Sequence, residues 1–190
     1  MRDLIAGVDE AGRGCLAGPV VATAVILTDT VNHYLFKDSK SLTALKRDLL
    51  YKTILSATPY ISTCVISHRE IDGINILQAT MNAMKTAILH LKVKPSRVLI
   101  DGNKTPDLKN YRLKAIVKGD QKEPCISAAS IIAKVTRDRI MDAYHYRYKA
   151  YQFNDHKGYG TVSHYDALFK IGPSPIHRLS FNLTKQLRLI

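Results

Sequence analysis

The chain has 190 residues, of which 46% are apolar and 23% charged, proportions that exclude a disordered, fibrous or collagen-like protein. Cys15, Cys64 and Cys125 are too few and too widely spaced for a disulfide framework or a CxxC zinc site, and no apolar run reaches the roughly 18 residues that span a bilayer. Lysine and arginine total 28 against 16 Asp and Glu, a net charge of +12 that makes polyanions natural partners.

A single α/β domain over residues 1–190, in a reducing cytoplasm and without a membrane segment, is the expectation. Residues 4–8 predict a first strand, running into Asp9-Glu10 and the glycine-rich stretch from Ala11 to Pro19. Residues 20–27 and 60–67 predict the second and third strands from their β-branched content. Between them Leu42, Leu45, Leu49, Leu50 and Ile54 recur at helical spacing, with Ser41 or Thr43 as N-cap. Residues 74–91 predict a long helix, 97–100 and 114–117 two short strands, and 126–147 another long helix. A last helix over 166–171 stops at Gly172-Pro173. The fold class that follows is α/β, a central mixed five-stranded sheet flanked by helices, with a helical C-terminal part.

Acidic side chains close three of these strands: Asp9-Glu10 after Val8, Asp101 after Ile100, and Asp120 just past Val117. Parallel neighbours bring such ends to one edge of a sheet, where α/β proteins gather reactive groups. Two carboxylates about 4 Å apart repel by about 4 kcal/mol at an effective dielectric near 20, so convergence calls for a cation. Oxygen ligands without nearby histidine or cysteine suit Mg2+ or Mn2+, and a pair of such ions could clamp a phosphodiester. The competing reading makes Asp101-Gly102 and Gly119-Asp120 ordinary turn residues. Adjacent strand residues point to opposite faces, so Asp9 and Glu10 share an ion only if the strand ends or bulges there. Asp138 shares a helix face with Ser127, Ser130 and Lys134, but lies about 18 Å along the helix from Ile126 and is expected to be a solvated or capping residue.

Gly12, Arg13 and Gly14 follow the first acids, where missing side chains let backbone N–H groups approach a ligand and test for a 2′-hydroxyl. The alternative is a plain connection between strands. Six of the ten tyrosines lie between 144 and 165 among basic residues, and only Tyr159, in the loop His156-Lys157-Gly158-Tyr159-Gly160, falls off a periodic face. Lys40, in Lys37-Asp38-Ser39-Lys40 ahead of a helix, is a candidate phosphate contact, the alternative being an exposed turn.

Gly7-Val8-Asp9-Glu10-Ala11-Gly12-Arg13-Gly14, Asp38-Ser39-Lys40, Ile100-Asp101-Gly102-Asn103, Val117-Lys118-Gly119-Asp120, the stretch from Ser127 to Asp138 and His156-Lys157-Gly158-Tyr159 together resemble bacterial ribonuclease HII nearly end to end. The chain departs from the family's usual pattern at Cys15, where proline is common, and at Gly73, where an acid is common. It resembles ribonuclease HIII only in part.

The resemblance implies a ribonuclease H-like fold and a monomeric endonuclease. Its substrates would be RNA/DNA hybrids and duplex DNA containing ribonucleotides, its cofactor Mn2+ or Mg2+. Asp9, Glu10, Asp101 and Asp120 would be the catalytic and metal-binding acids. Gly12, Arg13 and Gly14 would read the ribose 2′-hydroxyl, and Tyr159 would stack on the following deoxyribose. The other classes open at this point are a non-catalytic nucleic-acid-binding domain and a small-substrate phosphotransferase.

Overall fold

The computed structural model describes residues 4–28 and 43–184, and Lys40 lies outside them. Five strands form one mixed sheet in the order β3-β2-β1-β4-β5: β1 Ile5–Ala11, β2 Val20–Ile26, β3 Ile61–Ile66, β4 Arg97–Asp101 and β5 Leu113–Ile116. β1, β2 and β3 are antiparallel in sequence, whereas β1, β4 and β5 run parallel. The C-terminal ends of these three parallel strands therefore meet at one edge, with Val8 paired to Ile100 and Asp101 to Ile116.

Helices cover both faces, and the strand period of two assigns side chains to each. Ala6, Val8, Val20, Ala22, Ala24 and Ile26 pack with Ala79, Ala83, Met84, Ala87 and Ile88 of α3 (Ile76–Leu89). The alternate residues Val21 and Val25 pack with Ala128, Ala129, Ile132 and Ala133 of α5 (Pro124–Arg147), joined by Ile54 of α1 (Ala44–Ala57). No helix among the described residues is long and apolar enough to cross a membrane.

Several boundaries differ from the sequence expectation for identifiable reasons. β1 continues past Val8 to Ala11, because Asp9 and Glu10 stay in register with Thr23 and Ala22 of β2. The helix expected over 74–91 is α3, which begins two residues later, and a helix not expected, α2 (His68–Ile74), precedes it; the two are divided at Asn75, whose φ of 67° breaks the spiral while its side chain caps α3 at the Gln78 N–H. Gly119 and Asp120 belong to a one-turn helix, α4 (Gly119–Lys122), rather than to a loop. The last long helix starts at Pro124, a residue suited to a first turn. The C-terminal part is helical, with α6 (Phe153–His156) and α7 (Val162–Ile171), the latter capped by Thr161 and containing the expected stretch 166–171 up to its stop at Gly172. Thr43 is the N-cap of α1, accepting from the Lys46 N–H.

Gly7 sets the depth at which α5 lies on the sheet. A Cβ there would stand 2.1 Å from the Cys125 carbonyl carbon and 2.3 Å from the Ile126 nitrogen, both backbone atoms. From that contact α5 follows β1 toward its C-terminal end, where Ala133 packs on Ala11. Gly7→Ala forces strand and helix apart, and we expect a loss of about 3 kcal/mol, the upper range for overpacking, in a urea unfolding experiment.

Candidate active site

The edge formed by the three parallel strands opens on a cleft of about 380 Å³ lined by Asp9, Glu10, Asp101, Arg13, Ser130 and Tyr159, among others. Asp9 lies on the α5 side of β1, where Ser130 hydrogen-bonds its carboxyl and the Glu10 N–H donates to its Oδ1 at 2.7 Å. Glu10, one residue on, lines a second hollow beside Leu77, Met81 and Met84 of α3. The two acids thus leave the strand on opposite faces, as its regular register demands, yet they stand near enough to its end for both to reach the cleft. Asp101 ends β4 and accepts the Gly119 N–H at 2.7 Å through Oδ1.

Asp120 follows Gly119 directly and is buried, at 2% exposure, but its side chain does not line the cleft. Among the described residues, no three carboxylates stand close enough to cage an ion as they are.

Electrostatics at the edge is unfavourable to anions. Burial raises the Asp9 carboxyl well above the usual carboxylate range, and the Glu10 and Asp101 charges push it the same way, against the bond from Ser130. Burial also raises Glu10, opposed by the Arg13 guanidinium, whose Nη1 sits 3.2 Å from Oε1. A half-exposed guanidinium therefore serves as counter-cation to one of the acids.

The loop beside the acids is held from within by two arginines that have no exposed surface. Arg178 donates to the carbonyls of Gly12, Arg13, Gly18 and Pro19 at 2.8 to 3.1 Å. Arg137 donates to Pro19, Ala17 and Lys157 at 2.8 to 3.0 Å. Gly12 has φ 96°, and a Cβ on it would stand 2.0 Å from Arg137 Nε, so the position admits only glycine. In a trans peptide the C=O and the following N–H point in opposite directions. With the Gly12 and Arg13 carbonyls turned inward to Arg178, the N–H groups of Arg13 and Gly14 are turned outward.

Tyr159 reaches the same cleft, 41% exposed, with Lys134 Nζ 5.6 Å from its ring centre and Cys15 hydrogen-bonded to it. Burial, with the Cys15 thiol, pushes its phenol up to about 12, so it stays neutral throughout the physiological range.

Comparison with known proteins is consistent throughout the chain's length. A family model described as Ribonuclease HII matches residues 6–184. The chain belongs to the ribonuclease HII family. A Ribonuclease HII of Pelagibacter ubique is 51% identical over 179 residues, covering 94% of this chain and 96% of that protein. The crystal structure of the ribonuclease H2 from Pyrococcus horikoshii OT3 superimposes with a TM-score of 0.78 at 29% identity, covering 95% of this chain and 94% of the other. Bst-RNase HIII, solved in complex with Mn2+, shares the fold at a TM-score of 0.71 and 17% identity, over 96% of this chain and 68% of that one. Family membership makes the protein a nuclease, a hydrolase, on a ribonuclease H-like scaffold.

The shared helix face of Ser130 and Lys134 is visible in the sequence, but its place in the cleft is not. Ser130 and Lys134 line it because α5 meets the strand ends part-way along its length and not at its start. Asp138 is therefore only about 12 Å along the helix from Ser130, at 1.5 Å per residue. It is partly solvated, with its side chain 20% exposed, and holds Lys134 at 2.8 Å without capping the helix. Polar residues at i, i+4 and i+8 on an otherwise apolar helix were the available signal. Nothing in local spacing marks Arg137 or Arg178 as buried. Of the other tyrosines near Tyr159, Tyr144, Tyr148, Tyr151 and Tyr165 are packing residues of the C-terminal core.

Because ionised Asp9 is disfavoured in the fold, Asp9→Asn is expected to raise the melting temperature of the metal-free protein at pH 8. The folded-state carboxyl binds its proton above the unfolded value of 3.8, so the gain shrinks as the pH falls through the raised folded value. Calorimetry of both proteins with a chelator between pH 8 and 5 checks the sign.

Proposed function

We propose that the protein hydrolyses the RNA strand of RNA/DNA hybrids and cuts duplex DNA on the 5′ side of embedded ribonucleotides, leaving a 3′-hydroxyl and a 5′-phosphate. The observation that carries this reading is the juxtaposition of Asp9, Glu10 and Asp101 with outward-turned backbone donors at Arg13 and Gly14 in one open cleft.

The donor set suits a hard divalent cation. The cleft's acids offer only oxygen, its lining holds neither histidine nor cysteine, and their mutual repulsion is relieved by positive charge. Asp9, Glu10 and Asp101, which line the cleft, would hold Mg2+ or Mn2+ together with Asp120 from just behind it, with Glu10 then neutralised by the ion in place of Arg13. Such an ion supplies charge neutralisation and Lewis acidity at a phosphodiester.

The chain's own groups do the remainder. The Arg13 and Gly14 N–H groups select a ribose by its 2′-hydroxyl. Ser130 and the Gly119 N–H fix the Asp9 and Asp101 carboxylates. Tyr159 supplies a neutral stacking face for the next sugar, and Lys134 a cation for the backbone beside it. Lys40 would add a phosphate contact. Excess positive charge holds the duplex, and ribonucleotide removal from DNA is the role this specificity serves.

The decisive experiment offers a duplex with one ribonucleotide to the protein with Mn2+, Mg2+ or chelator and maps any cut. We expect a single metal-dependent cut 5′ to the ribonucleotide, lost in Asp9→Asn while duplex binding persists. Binding should weaken with salt at a slope of about 0.9 per phosphate neutralised. Cutting that ignores the ribonucleotide, or survives in Asp9→Asn, overturns the reading.

A further inference from the structure

Three chain segments far apart in sequence lie side by side behind the cleft. The middle one is Cys15 to Gly18. On one flank Leu16 N donates to the Gly158 carbonyl at 2.8 Å, and Cys15 is bridged to Tyr159. On the other, Gly18 N donates to Ile176 O at 2.9 Å, Arg178 N to Leu16 O at 2.8 Å, and Ala17 is bridged to His177. The outer segments are joined to each other by imidazoles.

His156, His164 and His177 are buried together, at 7%, 0% and 1% exposure. The first two stack with ring centres 4.2 Å apart, and the Nε2 atoms of His164 and His177 lie 2.9 Å from each other. Their other partners settle every proton. His164 Nδ1 faces the Tyr159 carbonyl at 2.9 Å, so it carries hydrogen and its Nε2 accepts. His177 Nδ1 accepts the Ser174 N–H at 2.8 Å, so its Nε2 carries hydrogen and donates to His164. His156 Nδ1 accepts the Gly158 N–H at 3.1 Å and its Nε2 donates to the Tyr151 carbonyl at 2.7 Å. A second proton on any ring would set two N–H groups against each other.

The chain of bonds runs Ser174 N–H to His177 to His164 to the Tyr159 carbonyl. We propose that His164 and His177 are positioning residues for Tyr159: linked by a bond in which neutral His164 is the acceptor, they hold its backbone against the loop of Gly12, Arg13 and Gly14. They thereby set the preference for a lone ribonucleotide followed by deoxyribose over a continuous hybrid. The inference rests on Tyr159 being the substrate contact described above.

Charged and titratable neighbours supply no counter-ion to His164 or His177, and only His156 has an acid, Asp155, beside it. His68 from α2 and Arg178 face His177, Asp155 and Lys157 flank His156, and Tyr151 and Phe153 pack on the rings. Burial pushes His164 and His177 down to about 4, in keeping with rings held neutral. Stability from these groups is full above the unfolded value of about 6.5 and is lost as the pH falls from there toward 4.

The test measures kcat/KM on a duplex with one ribonucleotide and on a continuous hybrid, for the native protein, His164→Leu and His164→Asn. Leucine removes both ring nitrogens, whereas the asparagine amide still donates to the Tyr159 carbonyl. We expect His164→Leu to lose about tenfold of the preference for the lone ribonucleotide, as misplaced contacts do. We expect His164→Asn, which keeps the donor to the Tyr159 carbonyl but loses the link to His177, to fall between the native protein and His164→Leu. Equal preference in His164→Leu and native protein overturns the proposal. Should His164→Leu fail to fold, His177→Asn, which keeps the acceptor for Ser174 and deletes only the donor to His164, is read in the same way. Independently of any activity, 15N spectra at pH 6 should show two neutral rings of opposite tautomer for His164 and His177, and an imidazolium at either overturns the relay. Native protein that cuts neither duplex, with the tautomers as assigned, sinks the proposed function and leaves the relay standing.

Discussion

Two buried guanidinium groups organise everything around the cleft. Burying a charge without a partner is expensive, and Arg137 and Arg178 meet that cost with carbonyl oxygens in place of carboxylates. Burial lowers Arg178 to about 10, still charged near neutrality, and all three of its nitrogens donate to carbonyls. Because seven bonds converge on carbonyls between Gly12 and Pro19 and at Lys157, the loop's peptide planes have one orientation available to them. That orientation turns the Gly12 and Arg13 oxygens inward to Arg178 and the amide hydrogens that follow them outward. Rigid donors of this kind cost no reorganisation when a substrate arrives.

The acids follow from sheet topology. Parallel pairing of β1 with β4 brings Asp9 and Asp101 to neighbouring strand ends, and the pleat sends Glu10 to the other face. The resulting cluster is desolvated and self-repelling, which is a poor arrangement for stability and a good one for capturing a cation. Arg13 occupies an intermediate role: its backbone belongs to the fixed loop while its half-exposed side chain neutralises Glu10. Loop and acid cluster are thus coupled through a single residue.

The C-terminal segment braces the loop beside the site although it lies far from it in sequence. Asp72 of α2 accepts the Leu179 and Ser180 N–H groups at 2.9 and 3.0 Å and the Ser180 hydroxyl at 2.6 Å, anchoring the residues that follow Arg178. Burial opposes the Asp72 charge, but these donors outweigh it and hold the carboxyl below its ordinary value. Arg178 and His177 are thereby delivered to the loop and the imidazole relay from the same short stretch.

Much of this protein was legible in the residues alone. Five strands, the long helices and the acids at strand ends follow from apolar periodicity and turn chemistry, which are properties of near neighbours in the chain. The glycine loop and Tyr159 stood out for the same reason, being breaks in periodic segments. Tertiary structure alone decided that β1 runs straight through Asp9 and Glu10, dividing them between faces, and that α5 passes the site at Ser130 and Lys134. It alone decided that Arg137 and Arg178 are buried and that three histidines interlock. These outcomes depend on contacts spanning up to 166 positions, whose partners no local pattern names, and on which face each element turns inward once the sheet is closed.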